Sequence, residues 1–219
     1  AILGITIFNT LIYFAGKTTS AVNLSLIAIS IPLFIVVLSR IIFKEKVSNI
    51  KIVGIATIIT GVLVLISKGS LHALLHINFT IGDLLMLVAC FFFACYTILV
   101  RKKPDELSPK VFLFSVFVIG TILLFPFYMY EHLYYKKVIF DTKTVLITTY
   151  VGVCASLISF YLWNEAIRLI GTSKTALIYY LIPVFSGILA YFFLNQAILL
   201  TQIISMGIII SGLLITNKK

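Results

Sequence analysis

The sequence predicts an all-α integral membrane protein with eight transmembrane helices, and three observations carry that prediction. Of the 219 residues, 61% are hydrophobic and only 11% charged, with a mean hydropathy of +1.17, far above the roughly half-apolar composition of soluble domains. The apolar residues fall into eight runs, most of them near the ~20 residues that a helix needs to cross a bilayer. Lys and Arg lie mostly at the ends of those runs, where they act as topology signals. Barrel strands would be about half as long and would alternate in polarity.

Taken in order, the runs cover 1–16, 20–43, 49–67, 80–101, 109–132, 143–167, 173–194 and 201–217. The first carries Thr6, Asn9, Thr10, Tyr13 and Lys17 on one helical stripe. The second contains Pro32, and the third contains Gly61. Thr80 and Asp83 open the fourth with a side-chain cap. Ser108-Pro109 opens the fifth with a hydroxyl and a proline whose missing N–H costs nothing at the first helical position. The sixth presents Ser156, Ser159, Trp163 and Asn164 on a stripe, and Thr172-Ser173 cap the seventh, which contains Pro183. The eighth runs to the basic C-terminal end.

A net charge of +10 and a pI near 9.6 would point to nucleic acid in a soluble chain, but here the charge sorts by loop, and no nucleic-acid partner is expected. One alternate set of loops holds 12 Lys and Arg, among them Arg40, Arg101, Lys103, Lys110, Arg168 and Lys174, and the other holds 5, including Lys17, Lys68 and Lys137. That asymmetry places the first residue and the C-terminus in the cytoplasm. Cys90, Cys95 and Cys154 lie inside apolar runs and show no disulfide spacing, so they read as small core hydrophobes. His72 and His76 stand at i, i+4 without a third ligand, and no metal or cofactor is expected. The chain opens on Ala-Ile-Leu with no charged segment before it and reads as a piece rather than a precursor with a signal peptide.

An offset of 151 residues aligns 11–68 with 162–219 without a gap. It pairs Pro32 with Pro183, Phe34 with Phe185 and Gly61 with Gly212. Internal repeats are the usual construction of secondary transporters, with the substrate at the repeat interface. The second copy, 79–219, has five helices, whereas 1–69 holds only the last three of the first copy. The whole is therefore expected to be a ten-helix, five-plus-five protein of which the first two helices are absent here.

Four stretches carry a family resemblance: YFAGKTTSAVNLSLIAISIPLF (13–34), FKEKVSNIKIVGIATIITGVLVLI (43–66), GDLLMLVACFFFACYTILVRK (82–102) and SFYLWNEAIR (159–168). In this order they resemble the EamA-type members of the drug/metabolite transporter superfamily. The resemblance implies a multi-pass protein of the bacterial inner membrane that exports small metabolites such as amino acids or related solutes. The chain departs from the family pattern at Ile182 and Gln196, where acidic residues are often found, and it keeps Glu45.

Polar groups inside a membrane are costly and tend to face the bundle interior or a water-filled cavity. Asn9, Tyr13, Asn23, Ser30, Tyr96, Trp163, Asn164 and Tyr179 are the candidates for substrate contact. The competing roles are interhelical hydrogen bonding for the amides and hydroxyls and interfacial anchoring for Trp163. Pro32 and Pro183 each remove a backbone hydrogen bond and serve either as paired gating elements or as static kinks. Glu165 and Arg168, at i, i+3, read as a local ion pair. Mid-helix positions hold no lone ionisable group, which points to an uncoupled facilitator or exchanger of a zwitterionic or neutral metabolite working by alternating access. The rival classes are an intramembrane enzyme and a non-transporting membrane subunit, but no catalytic residues are expected, since HExxH and GxSxG motifs and midplane carboxylate pairs are missing from the sequence.

Overall fold

A computed structural model describes residues 1–19, 24, 27–45, 48–67, 80–103, 106–134, 141–182, 185, 192 and 200–217. Among the described residues every regular element is a helix. Helix α1 covers Ile2–Ala15, α2 Ser30–Phe43, α3 Asn49–Ser67, α4 Ile81–Arg101, α5 Pro109–Tyr134, α6 Thr142–Ile170, α7 Thr172–Ala176 and α8 Leu200–Asn217. A 3₁₀ segment, Leu177–Leu181, continues α7.

Helices α4, α5 and α6 are long and apolar enough to cross a membrane, and α1, α2 and the central parts of α3 and α8 are shorter apolar helices. Of the seventh expected run only 173–182, 185 and 192 are described.

Helix α4 is the central post, packed by α1, α2 and α6. Its start is fixed as the sequence predicts. Asp83 N–H donates to Thr80 Oγ1 at 3.3 Å and Thr80 N–H to Asp83 Oδ2 at 2.7 Å, a reciprocal capping box. Thr19 Oγ1 donates to the other Asp83 oxygen at 2.5 Å, which ties the end of α1 to the start of α4. The predicted hydroxyl cap on α5 is also present, Val111 N–H donating to Ser108 Oγ at 3.3 Å.

Two departures from regular α-helix change which side chains share a face. Helix α1 is π-helical over Ile2–Ile7 and α6 over Val151–Ile158. Their i→i+5 bonding takes more residues per turn than an α-helix, so a stripe counted at 3.6 residues per turn loses register across them. In α2 the turn residue Ile29 separates helical residues 27–28 from Ser30, and Pro32, fully buried, is the third residue of the new helix. There its absent N–H is one of the donors that a first helical turn leaves unpaired anyway.

Helices α3 and α8 pack along a stripe of small residues. A Cβ on Gly61 would stand 2.9 Å from Ile209, and one on Gly212 would stand 2.7 Å from Ile58. The same 151-residue offset relates Gly61 to Gly212 and Ile58 to Ile209, so the two contacts are reciprocal. Ile58 and Ile209 are both fully buried. Small residues let helix backbones approach closely where lipid supplies no hydrophobic drive between helices.

Candidate functional site

One face of α4 presents Phe93, Tyr96 and Thr97, an i, i+3, i+4 set. Phe93 is the hub of an aromatic cluster, its ring centroid 4.5 Å from Phe8, 5.5 Å from Trp163, 5.8 Å from Tyr96, 5.9 Å from Tyr179 and 6.2 Å from Phe160. Trp163 and Tyr179 meet nearly at right angles, 5.1 Å apart, the edge-to-face geometry that ring quadrupoles favour.

Polar atoms are threaded through this cluster. Tyr96 donates its hydroxyl to Asn164 Oδ1 at 2.9 Å. Trp163 Nε1 donates to Thr97 Oγ1 at 3.2 Å, while that hydroxyl donates to Phe93 O at 3.0 Å. Asn164 is 6% exposed, and its Nδ2 is buried without a hydrogen-bond partner. An unmade bond of that kind costs about 1–3 kcal/mol.

Toward the basic end of the bundle lies a second polar group. Lys44 ends α2 with a left-handed φ of 54° and turns the chain so that Glu45 meets α4 and α7. Glu45 forms an ion pair with Arg101 and accepts from Ser173 Oγ at 2.6 Å. Burial pushes the Glu45 carboxyl up, but the Ser173 hydroxyl and the Arg101 guanidinium outweigh it and hold the carboxyl below its usual value. Arg101 also donates to Thr172 Oγ1 at 3.4 Å and stacks over the Phe43 ring at 4.1 Å. Ser39 and Thr172, both fully buried, share a hydrogen bond of 3.0 Å. The turn that brings α7 into this network rests on Gly171, whose φ of 80° and ψ of 165° suit glycine alone.

Beside this group opens a cavity of about 690 Å³. It lies between the end of α4, the start of α5 and the last turns of α6, and Asn164 is part of its wall.

Of the side chains singled out in the sequence, Tyr96, Trp163, Asn164 and Tyr179 come together in the aromatic cluster. Ser30 Oγ is buried near the thiol of Cys90. Asn9 turns inward on its own helix and donates to Ile5 O at 2.9 Å. On the stripe of the first run Thr6, Asn9 and Thr10 are half-buried, whereas Tyr13 is 65% exposed and Lys17 is exposed. The π-helical start of α1 turns Thr6 alone out of the counted register, since Asn9, Thr10 and Tyr13 lie together in the regular α-helix Phe8–Ala15. Ser159 is likewise exposed and donates to Cys154 O at 2.9 Å, five residues back across the π-segment. Asn23, Pro183, His72, His76 and Gln196 lie outside the described residues.

Three further expectations have definite outcomes. Glu165 and Arg168 do form a local ion pair, with bonds of 2.9 and 2.6 Å. Thr172 and Ser173 do not cap α7: Gly171 holds the cap position, and the two hydroxyls reach across to Arg101, Ser39 and Glu45 instead. Of the cysteines, Cys90 is a buried core residue, whereas Cys154 is exposed. Nothing in the sequence singles out Phe93, Thr97, Phe160 or Ser39, because a phenylalanine in an apolar run and a lone hydroxyl look like packing.

The EamA-like transporter family matches residues 1–67 and 80–218 of this chain. The chain is 29% identical over 175 residues to the uncharacterized transporter YyaM of Bacillus subtilis, covering 78% of this chain and 56% of that protein. It is 27% identical over 167 residues to an uncharacterized transporter of Archaeoglobus fulgidus, covering 76% and 56%. It is 29% identical over 142 residues to a "Probable amino-acid metabolite efflux pump" of Salmonella typhimurium, covering 61% and 46%. The chain thus spans about half the length of the curated relatives it matches. A solved crystal structure superposes with a TM-score of 0.79 at 19% identity, over 99% of this chain and 75% of its own, which shows a shared fold.

Proposed function

The chain belongs to the EamA-like transporter family, and from this membership we propose that it is part of a carrier that exports small metabolites, amino acids or related solutes, by alternating access. Its two moving parts are the repeat-related segments 1–69 and 79–219 of a ten-helix, five-plus-five protein in a bacterial inner membrane, with the C-terminus and the basic end of the bundle in the cytoplasm. Tyr96, Trp163, Asn164 and Tyr179 contact the solute, Ser30 flanks them, and Pro32 and Pro183 are the gating positions. Transport is by facilitated flux or exchange, because Glu165 is neutralised by Arg168.

The observation that carries this proposal is the contrast between the two kinds of contact joining the segments. Helices α3 and α8 meet through apolar, reciprocal, glycine-mediated packing. Helices α2, α4 and α7 meet through Glu45, Arg101, Thr172, Ser173 and Ser39, a polar tie that water at an opening mouth can replace bond for bond. The first contact acts as the pivot and the second as the cytoplasmic latch.

The test is a reversible lock. With the native cysteines replaced, Ser39→Cys and Thr172→Cys should form a disulfide in the closed state, since their hydroxyls stand 3.0 Å apart. Solute counterflow by the full-length protein in liposomes should stop on oxidation and return on reduction. Undiminished flux through the locked protein would overturn alternating access at this latch. An enzyme or a non-transporting subunit would give no vectorial flux in either state.

A further inference from the structure

We propose that the cavity of about 690 Å³ at the basic end is a loading site for the carboxylate of a small organic solute, with the Asn164 amide donating to that carboxylate. The proposal rests on the carrier reading above and adds the chemistry the carrier selects at its cytoplasmic mouth.

The charge of the wall comes first. Arg101, Lys103, Lys110 and Arg168 line the cavity, Arg101 being paired with Glu45 outside the wall, and among the described residues one carboxylate, Glu165, lies in it. That carboxylate is spent on Arg168, which donates to both of its oxygens. Lys110 is exposed in the first turn of α5. A cation there is opposed by the positive end of the helix dipole, and a bound anion relieves the conflict.

Asn164 supplies the second, independent observation. Among the described residues it is the one buried polar side chain in the wall. Tyr96 donates to its Oδ1, which fixes the amide plane and leaves Nδ2 as the donor without an acceptor. Nδ2 itself has almost no accessible surface, so an acceptor that satisfies it enters by displacing the groups over it, and a carboxylate does so while answering the surrounding charge. Val100, Tyr161 and Ile167 give the wall an apolar portion for the rest of the solute, and the volume is that of a small-molecule site. A zwitterion qualifies through its carboxylate.

Trp163 is the only tryptophan of these 219 residues and the neighbour of Asn164, so with any tryptophan elsewhere in the full-length protein replaced by phenylalanine its fluorescence reports occupancy. The full-length protein in phosphatidylcholine nanodiscs is titrated with 3-phenylpropionate and with 3-phenylpropanamide, its neutral isostere. The carboxylate should bind saturably and the amide about tenfold more weakly or worse, the worth of one charge-assisted hydrogen bond. The surface change Lys110→Gln should weaken the carboxylate several-fold and leave the amide unaffected, whereas Asn164→Leu should weaken both, the carboxylate more, since the amide carbonyl also accepts a hydrogen bond. Equal affinity for the two probes, or carboxylate affinity unchanged in Lys110→Gln, would overturn the proposal. In nanodiscs containing phosphatidylglycerol, unchanged affinity supports a soluble solute, whereas competitive loss assigns the cavity to a lipid headgroup and rejects it. Because binding is read without flux, carboxylate selectivity in a protein that moves no solute would reject the carrier and keep the site. Flux without that selectivity would do the reverse.

Discussion

Replacing Glu45 by Gln removes the charge that joins α2 to α4 and α7 while keeping the side chain's shape. The Arg101 and Glu45 side chains are 35% and 31% exposed, so solvent screens their attraction and the pair is worth about 0.5–1 kcal/mol. The 2.6 Å bond from Ser173 to an ionised oxygen is stronger than its neutral counterpart, and its weakening adds a similar amount. Together they predict a loss of about 1–2 kcal/mol from the closed state, a change of about 5- to 30-fold in the closed-to-open ratio. The sign of the pH dependence follows from the depressed Glu45 pKa in the closed state. The tie is at full strength above the carboxylate's ordinary value near ~4.3 and is lost as pH falls through the lower, closed-state value. Spin labels on Lys44→Cys and Lys174→Cys, both exposed positions at the ends of α2 and α7, report the separation by electron–electron distance measurement in nanodiscs. Wild-type protein should show a dominant short distance from pH 6 to 8 that gives way only in acid, and Glu45→Gln a longer distance at every pH. An unchanged distribution in Glu45→Gln, or a transition centred near neutral pH, would refute the latch.

Other expectations can be checked separately. Gly61→Leu and Gly212→Leu should each destabilise the protein by about 1–3 kcal/mol in thermal unfolding, since both drive a side chain into the facing helix. Their effects should be nearly equal because the contacts are reciprocal, and a silent substitution at either position would count against the pivot. Pro32→Ala restores an N–H that can bond Ala28 O across the break at Ile29. It should slow counterflow more than it lowers the yield of folded protein, and equal flux per folded molecule would mark the break as static. The 12-to-5 division of Lys and Arg between loop sets predicts that an impermeant thiol reagent outside the cell reaches cysteines placed near Lys68 and Lys137 but not near Lys103 or Lys174. The opposite labelling would invert the topology.

Much that depends on neighbours along the chain was legible before any coordinates. Helices α1, α3, α4, α5, α6 and α8 begin and end close to the limits of the apolar runs, the Thr80–Asp83 box closes as its spacing requires, and Glu165 and Arg168 pair one turn apart. These features are set by backbone hydrogen bonding and by contacts within about four residues, which a sequence displays directly. What only the tertiary structure decided is which faces meet. Asn164 finds Tyr96 across 68 residues, Ser173 finds Glu45 across 128 and Thr172 finds Ser39 across 133. In a membrane chain nearly every helix face is apolar, so hydrophobic periodicity, the signal that points a soluble helix toward its core, is too weak to choose a partner. The π-helical stretches in α1 and α6 then shift register without a mark in the sequence. They turn Thr6 and Ser156 out of the register that a 3.6-residue count assigns them, while Thr172 and Ser173, which looked like a local cap, became half of the polar contact joining α2, α4 and α7.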